Sequence, residues 1–375
     1  MNSRVHARQQ AQLAFDASGQ NLIVGERSQC PLAPEVLAAL TAESPLVVQQ
    51  FGGGLTARVF RLAINGREYT LKQKRAEALV RNVDGQTSFL NEVQRRADFA
   101  RLQADPVWAA RFSHIVPTLY ADYRLGIILS PWLPGAPLDR FDEAIFRQIL
   151  ETAVACEEAG LMEWDLCPGN IIEDNGHIWL FDFGYMYPFD PLTEYNSNGL
   201  SDPLFHACER FETRHFFGWL LQHESAIPAP QALALFRSLK SVAVEVYQQK
   251  WHWLQQHAAS EPVCQWVSSQ VARWQHALSS DTALAELFEL LAQRGALGVV
   301  HHLDGQQPAA VLALQRTGAD PASGLEGGKL TQTRDRLVDD RLGDLILPRG
   351  CSRGQGNSDR SAEQPCDEGV MVCPS

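Results

Sequence analysis

Residues 163–170, EWDLCPGN, and residues 181–184, FDFG, decide the fold of this 375-residue chain. Before the first stretch, apolar residues recur at helical spacing over residues 142–160, which predicts a helix that ends at its last glycine. Between the two stretches, apolar residues flank Asn175-Gly176, a dipeptide typical of the two-residue turn of a β-hairpin. The pattern therefore predicts a helix, a polar loop and a hairpin that leads into FDFG.

A strand pattern with two turns lies upstream, over residues 46–74. The first turn is in FGGGLTARV, residues 51–59, whose three consecutive glycines let a backbone approach phosphate oxygens closely. The second turn is Asn65-Gly66, which predicts another β-hairpin. This part of the chain is therefore expected to be rich in antiparallel strands.

Two side chains of opposite charge follow at defined distances. The predicted strand YTLK ends at Lys72, thirteen residues after Val59. Lys74 lies on the same strand face, so the strand pattern alone leaves two lysine candidates. A helix predicted over residues 88–102 carries Glu92, twenty residues beyond Lys72.

Phosphoryl transfer requires backbone amides over the phosphates, a cation that binds them, ligands for Mg²⁺ and a carboxylate that orients the attacking hydroxyl. This chain has a candidate for each, in a workable order along the sequence. Over roughly residues 47–184 the motifs resemble the protein-kinase-like superfamily. The DLCPGN form of residues 165–170 is similar to aminoglycoside phosphotransferases and related bacterial kinases.

The resemblance implies an α+β, bilobal protein-kinase-like fold, with a small antiparallel β-rich lobe and a larger, mostly helical lobe. The expected organisation is an N-terminal extension, a small lobe with its hinge, a large lobe and a tail, at residues 1–46, 47–133, 134–303 and 304–375. In the large lobe, helices are predicted over residues 204–222, 229–256, 262–278 and 282–294. The tail is predicted to be mostly disordered because small and polar residues dominate it.

The same resemblance implies contacts to ATP in the small lobe and at a hinge. The glycines would cover the phosphates, Lys72 would bind the α- and β-phosphates, and Glu92 would pair with Lys72. At the hinge, the Pro131 carbonyl would accept a hydrogen bond from the adenine amino group, and the Leu133 amide would donate one to the ring. The predicted ATP-binding residues are Gly52, Gly53, Gly54, Val59, Lys72, Glu92, Pro131 and Leu133.

Lys72 and Asp165 are the predicted catalytic residues. Asp165 would orient and deprotonate the acceptor hydroxyl. Asn170, five residues after Asp165, and Asp182, twelve residues after Asn170, would hold Mg²⁺ against the nucleotide phosphates. The resemblance thus implies ATP as a substrate and Mg²⁺ as a cofactor.

Three features depart from the usual kinase pattern. Glu163-Trp164 stands where kinases have His-Arg, so a phosphorylated activation loop would find no arginine at that spot. Cys167 stands where a lysine or histidine is often found, two residues after the aspartate, so one contact to the γ-phosphate is missing. No Ala-Pro-Glu follows Gly184. These departures leave the acceptor and the regulation open, but not the nucleotide site.

Three functions remain open on the sequence. The first is an ATP- and Mg²⁺-dependent phosphotransferase that moves the γ-phosphoryl group of ATP to a hydroxyl. Its acceptor is either a protein Ser or Thr or a small molecule. The second is a pseudokinase that serves as a nucleotide-binding regulatory module, and the third is a kinase-like enzyme that transfers AMP.

The composition limits partners and location. Lys and Arg total 32 against 44 Asp and Glu, a formal net charge of -12, which argues against non-specific binding to nucleic acid or to an anionic membrane. The sequence has no apolar window of about 20 residues and no apolar core of a secretory signal near its start. Its eight cysteines form no C-x-x-C pair. A cytoplasmic protein with reduced thiols is therefore expected.

Overall fold

The computed structural model describes residues 3–52 and 54–302, with side chains described up to residue 293. Gly53 and the tail predicted over residues 304–375 lie outside the described residues. The described chain has an α+β structure, with an antiparallel sheet followed by a mainly helical C-terminal part. The predicted fold class is confirmed at this level.

The main sheet has six antiparallel strands in the order β1-β5-β6-β4-β3-β2. Their bounds are Ile23–Gly25 (β1), Val47–Phe51 (β2), Ala57–Ile64 (β3), Arg67–Lys74 (β4), Tyr120–Asp122 (β5) and Ile127–Pro131 (β6). The hairpin predicted at Asn65-Gly66 joins β3 to β4, and both turn residues have positive φ, 53° and 75°, as a type I′ turn requires. Its register places Val59 directly opposite Lys72.

Helices α2 (Pro34–Ala38) and α3 (Val83–Ala104) pack on this sheet, and α1 (Ser3–Ala17) packs on α3. The segment predicted as an N-terminal extension is part of the sheet's structure, because β1 pairs with β5 and Leu37 of α2 is fully buried. The main sheet therefore includes residues that precede residue 47, where the small lobe was predicted to begin. Strand β1 has three residues and one buried side chain, Val24, so it is too short to show an alternating apolar pattern in the sequence.

Helix α3 lies against the sheet and carries the predicted Glu92. Asn82 caps its first turn by accepting a hydrogen bond from the Gly85 amide at 2.7 Å. Phe89 and Val93 pack in a cluster with Ile128 of β6. Because Glu92 lies beside these buried positions, the packing of α3 turns its carboxylate toward the sheet.

A second group of short strands begins after the sheet. Its members are β7 (Ala136–Pro137), β8 (Leu161–Glu163), β9 (Ile171–Asp174), β10 (His177–Leu180) and β11 (Met186–Pro188). The hairpin predicted at Asn175-Gly176 joins β9 to β10, whereas β8 pairs with β11. The helix predicted before β8 is α4 (Glu143–Glu158), capped by Asp142, which accepts from the Ile145 amide at 2.9 Å.

The C-terminal part consists of α5 (Ala207–Phe211), α6 (Phe217–Gln222), α7 (Ala229–Gln256), α8 (Glu261–Leu278) and α9 (Asp281–His302). The helix predicted over residues 204–222 is interrupted, because residues Glu212–Phe216 form a π-helical turn between α5 and α6. The other three predicted helices are present, and α9 extends beyond its predicted end. Of the described residues, none lies in a helix long and apolar enough to cross a membrane.

Candidate functional site

A lysine lies between two carboxylates where the sheet meets α3 and the FDFG stretch. Lys72 Nζ is 2.9 Å from Glu92 Oε2 and 3.0 Å from Asp182 Oδ2. Arg96, one turn beyond Glu92 on α3, contacts Glu92 Oε1 at 3.0 Å. The structure thus brings together three residues that the sequence assigned to one site from positions 72, 92 and 182.

The two partners of this cluster stabilise each other's charge. Burial acts to lower the pKa of Lys72, but the charges of Asp182 and Glu92 outweigh it, so the pKa is raised and the ammonium is retained. Desolvation acts to raise the pKa of Asp182, but the Lys72 ammonium outweighs it, so the pKa is lowered. At neutral pH the site therefore holds a fixed cation and an ionised carboxylate.

Asp182 reaches this position through an unusual backbone conformation. Its φ is 69°, in the left-handed region that a non-glycine residue rarely adopts and that recurs at functional sites. The next residue, Phe183, is buried against Phe99 of α3 with ring centroids 4.6 Å apart. Asn91, the neighbour of Glu92, donates to the Gly184 carbonyl at 3.0 Å. Helix α3 therefore holds both the FDFG backbone and the partner of Lys72.

The loop before β9 places Asp165 and Asn170 beside Asp182. The Asn170 side-chain amide donates to the Asp165 carbonyl oxygen at 2.8 Å. The Phe181 amide donates to the Asn170 carbonyl at 3.2 Å, so the residue before Asp182 is bonded to Asn170. The β9–β10 hairpin therefore brings the two predicted Mg²⁺ ligands together, because Asn170 directly precedes β9 and Asp182 follows β10.

The side chains at these two positions fit a hard cation. The exposed fraction of the Asp182 side chain is 43%, although one of its oxygens contacts Lys72. Because Asn170 donates through its nitrogen, its amide oxygen is left to face away from that bond. A carboxylate and an amide oxygen are the ligand types that Mg²⁺ accepts, with substrate phosphates and water completing the shell. Across residues 3–52 and 54–302, no group of three or more His, Cys, Asp or Glu is placed to hold a metal by itself.

An arginine that the sequence did not single out contacts the predicted base. Arg214 Nε is 3.1 Å from Asp165 Oδ1, and its terminal Nη2 contacts the same oxygen. Arg214 lies in the π-helical turn, 49 residues after Asp165. No local sequence pattern predicts such a long-range contact. The positive charge of Arg214 is the only feature of the sequence that favours a contact with a carboxylate.

Glu163 supports the same loop from within the protein. Its Oε1 accepts from the Asp165 amide at 2.7 Å, while its Oε2 has no hydrogen-bond partner in the described part of the chain. Burial raises the pKa of Glu163 to about 8, and the nearby charges of Asp165 and Asp182 act in the same direction. The residue in the usual histidine position is thus a carboxyl group that holds its proton near neutral pH.

The glycine stretch has one position at which only glycine fits. A Cβ on Gly54 would lie 2.1 Å from the Ala57 carbonyl oxygen, whereas a Cβ on Gly52 would meet nothing within 4 Å. The predicted Gly53 lies outside the described residues. Val59 faces Phe51 on one side and Lys72 on the other in the strand register. The stretch therefore leads from the sheet edge directly to the lysine.

The predicted hinge continues from the end of β6. Pro131 pairs with Tyr69 of β4, and the Trp132 amide donates to the Glu68 carbonyl at 3.1 Å. Leu133 is buried. The Trp132 ring stacks on Phe51, which directly precedes the glycines, with centroids 5.9 Å apart. The contacts of Pro131 and Leu133 with adenine stay predictions.

The structure separates the two lysine candidates on β4. Lys74 Nζ contacts the Tyr123 hydroxyl at 3.2 Å, and burial lowers its pKa. Lys72 instead contacts Glu92 and Asp182. Lys72 is therefore the lysine that meets the other predicted site residues.

Helix α1, in the segment predicted as an extension, also reaches this region. Arg8 contacts Asp84, in the first turn of α3, at 3.3 Å. Its guanidinium carbon lies 3.5 Å from the Tyr187 ring centroid and 5.7 Å from that of Trp164, which precedes Asp165. The helix therefore connects α3 with β11 and with the loop of the predicted base.

Cavity size alone does not point to this site. A cavity of about 350 Å³ is lined by apolar side chains such as Phe217, Leu221 and Phe288, and by none of the predicted site residues. A cavity of about 10 Å³ lies beside Asp165 and Asn170. The larger one is a gap between helices without converging polar groups, so the chemistry of the side chains identifies the candidate site.

Comparisons with known proteins add little to this geometry. No family model matches the chain, and no curated protein matches its sequence. Among solved structures, the chain is similar to vaccinia related kinase 3, with 12% identity and a TM-score of 0.29 over 42% of this chain. The match spans about half, 56%, of the length of that structure.

Proposed function

We propose that this chain is an ATP- and Mg²⁺-dependent phosphotransferase with a bilobal, kinase-like arrangement. It transfers the γ-phosphoryl group of ATP to a hydroxyl of a protein or of a small molecule. The observation that carries the proposal is the position of Lys72 Nζ, within 3.0 Å of both Glu92 and Asp182. A cation bound to one structural carboxylate and one exposed carboxylate is suited to phosphates that arrive with Mg²⁺.

In this mechanism each described side chain has one task. Lys72 binds the α- and β-phosphates while Glu92 holds its ammonium in place. Asp182 and Asn170 hold Mg²⁺, which supplies charge neutralisation of the phosphates. Asp165 accepts the proton of the attacking hydroxyl. We also propose a cytoplasmic location, which the free thiols of the five described cysteines favour.

A pseudokinase is the second candidate, and one contact favours it. Arg214 binds the carboxylate of Asp165, so an oxygen of the predicted base is already engaged in an ion pair. The described residues around Lys72 would still bind a nucleotide in that case. The two candidates therefore differ in turnover and not in binding.

The decisive experiment incubates the full chain with ATP, Mg²⁺ and a lysate divided into protein and metabolite fractions. ATP labelled at the γ-phosphate should pass its label to one fraction, which identifies the acceptor class. ATP labelled at the α-phosphate should transfer nothing, and label found in an acceptor would indicate AMP transfer instead. Calorimetry with Mg·ATP completes the test, because binding without any transfer would establish the pseudokinase.

A further inference from the structure

Arg214 holds a position that the mechanism above does not use. It lies in the π-helical turn Glu212–Phe216, between α5 and α6. Such turns inside helices occur frequently at functional sites, because the extra residue redirects a side chain. Here the redirected guanidinium meets Asp165, with Nε 3.1 Å from Oδ1.

Arg214 pairs with the carboxylate that is predicted to orient the acceptor hydroxyl. Among the residues described by the structure, Glu92 and Asp182 are contacted by Lys72, and Glu92 also by Arg96. Both of these cations are buried. The side chain of Arg214 is 20% exposed, and that of Asp165 is 25% exposed, so this pair adjoins solvent.

The residue two positions after Asp165 carries no positive charge. This residue, Cys167, lies in the loop of Asp165, and its backbone carbonyl accepts from the Asn170 amide at 3.0 Å. The contact with Asp165 places the Arg214 guanidinium at this loop. A neutral thiol at Cys167 supplies no charge for a phosphate, whereas the neighbouring arginine does.

We propose that Arg214 contacts the phosphoryl group during transfer and supplies the positive charge that Cys167 cannot. The proposal rests on the function proposed above. A guanidinium has five donors in a planar fork, so one edge can stay on Asp165 while another binds a phosphoryl oxygen. In the step itself, the acceptor oxygen bonds to the γ-phosphorus and the bond from that phosphorus to the bridging oxygen breaks. The hydroxyl proton passes to Asp165, and ADP leaves with the bonding electrons.

The test compares Arg214→Met with Arg210→Met in the full chain. Arg210 lies one turn earlier, has the same 20% exposure and pairs with Glu209, so it is a matched control. ADP formation from Mg·ATP is measured with the lysate fractions as acceptors. Arg214→Met should slow turnover by about 10²-fold or more, the usual loss of one transition-state donor, while Arg210→Met should keep the wild-type rate.

A second variant separates a contact to the phosphoryl group from a structural role. Adding Cys167→Lys to Arg214→Met returns a cation to the loop of Asp165, and the rate should rise at least about tenfold above that of Arg214→Met alone. The affinity for Mg·ADP, which lacks the transferred group, should equal that of the wild type in both variants. A rate loss without rescue, or a loss of Mg·ADP binding, would assign Arg214 to structure only and overturn the proposal.

Other outcomes overturn it in different ways. Faster turnover of Arg214→Met would show that the contact inhibits Asp165, and an unchanged rate would show no role. A higher KM for the acceptor with an unchanged kcat would show that Arg214 binds an anionic acceptor. A wild-type chain that binds no Mg·ATP would end the proposed function itself, whereas an active wild type with an equally active Arg214→Met ends only this inference.

Discussion

Two regions of the molecule bury a lysine against a carboxylate, with different consequences. Lys72 contacts Glu92 and also Asp182, whose side chain is 43% exposed. In the helical part, Lys250 contacts Glu157 at 2.8 Å, and these two side chains are only 3% and 1% exposed. The first cluster leaves a charged group exposed, whereas the second is closed to solvent.

This difference shows that a buried lysine–carboxylate pair does not by itself mark a site. The closed pair is completed by the protein, since Glu157 also accepts from the Ala207 amide at 2.9 Å. A second closed pair, Lys240 with Glu212, lies nearby in the same part of the chain. What distinguishes Lys72 is its contact with a second carboxylate, that of Asp182, whose side chain is 43% exposed. The backbone of Asp182 also has a positive φ. Substitutions should therefore affect turnover at the open cluster and stability at the closed pairs.

The largest effect on turnover should come from Asp165→Asn. If Asp165 accepts the proton of the hydroxyl, its loss should slow transfer by about 10² to 10⁴ with Mg·ATP affinity nearly intact. Asp182→Asn is the comparison, because a neutral amide is a poorer Mg²⁺ ligand and should weaken both binding and transfer. Calorimetry and turnover are measured for both variants. Wild-type transfer by Asp165→Asn would show that this residue only forms the loop.

The closed pair should give the largest effect on folding. Lys250→Met leaves the Glu157 charge buried with one backbone donor, which should lower the free energy of unfolding by about 3–5 kcal/mol. Urea unfolding measures the loss. The double variant Lys250→Met with Glu157→Gln removes the uncompensated charge and should recover part of it. A single variant as stable as the wild type would contradict the contrast between the two regions.

Lys72→Met should affect turnover more than stability. Its removal takes away the cation for the phosphates and should reduce turnover at least ~100-fold. Glu92 keeps its contact with Arg96, so the free energy of unfolding should fall less than in Lys250→Met. Lys74→Met is the matched control on the same strand and should stay active. A crippled Lys74→Met beside an active Lys72→Met would show that the wrong lysine has been assigned.

Stability should also depend on pH through Glu163. Its pKa is about 8 in the folded chain against an ordinary value of 4.5, so the folded state binds this proton more tightly. The resulting stabilisation is complete below the ordinary pKa and is lost as the pH rises through about 8. Urea unfolding at about pH 5 and about pH 8.5 should show this fall in the wild type and a smaller one in Glu163→Gln. Equal slopes would contradict the assignment.

Local sequence signals predicted the parts of the site that local structure determines. The two Asn-Gly turns fix their hairpins through positive φ at both residues, and the second hairpin then sets Asp182 beside Asn170. The helix with Glu92 follows from apolar spacing together with a capping asparagine. That Lys72, Glu92 and Asp182 would share one site followed from the resemblance of their motifs to those of kinases, and the structure places the three side chains in contact.

Contacts between distant segments could not be predicted in this way. Arg214 contacts Asp165 because a π-helical turn interrupts the helix that the sequence pattern predicts as continuous. No characteristic amino-acid composition marks such a turn in a sequence. The strand β1 has three residues, and the polar helix α1 is held by side-chain contacts such as the one from Arg8 to Asp84. These interactions depend on the completed fold, which a single sequence does not display.

The contact of α1 with Trp164 gives the chain an optical reporter. The Arg8 guanidinium lies 5.7 Å from the centroid of this indole, and the indole nitrogen donates to Ser197 Oγ at 2.9 Å. Indole emission responds to nearby charge and to the loss of a hydrogen bond. The difference between the fluorescence spectra of the wild type and of Trp164→Phe therefore isolates one ring beside Asp165. Nucleotide or acceptor binding that shifts this loop becomes visible without any added dye.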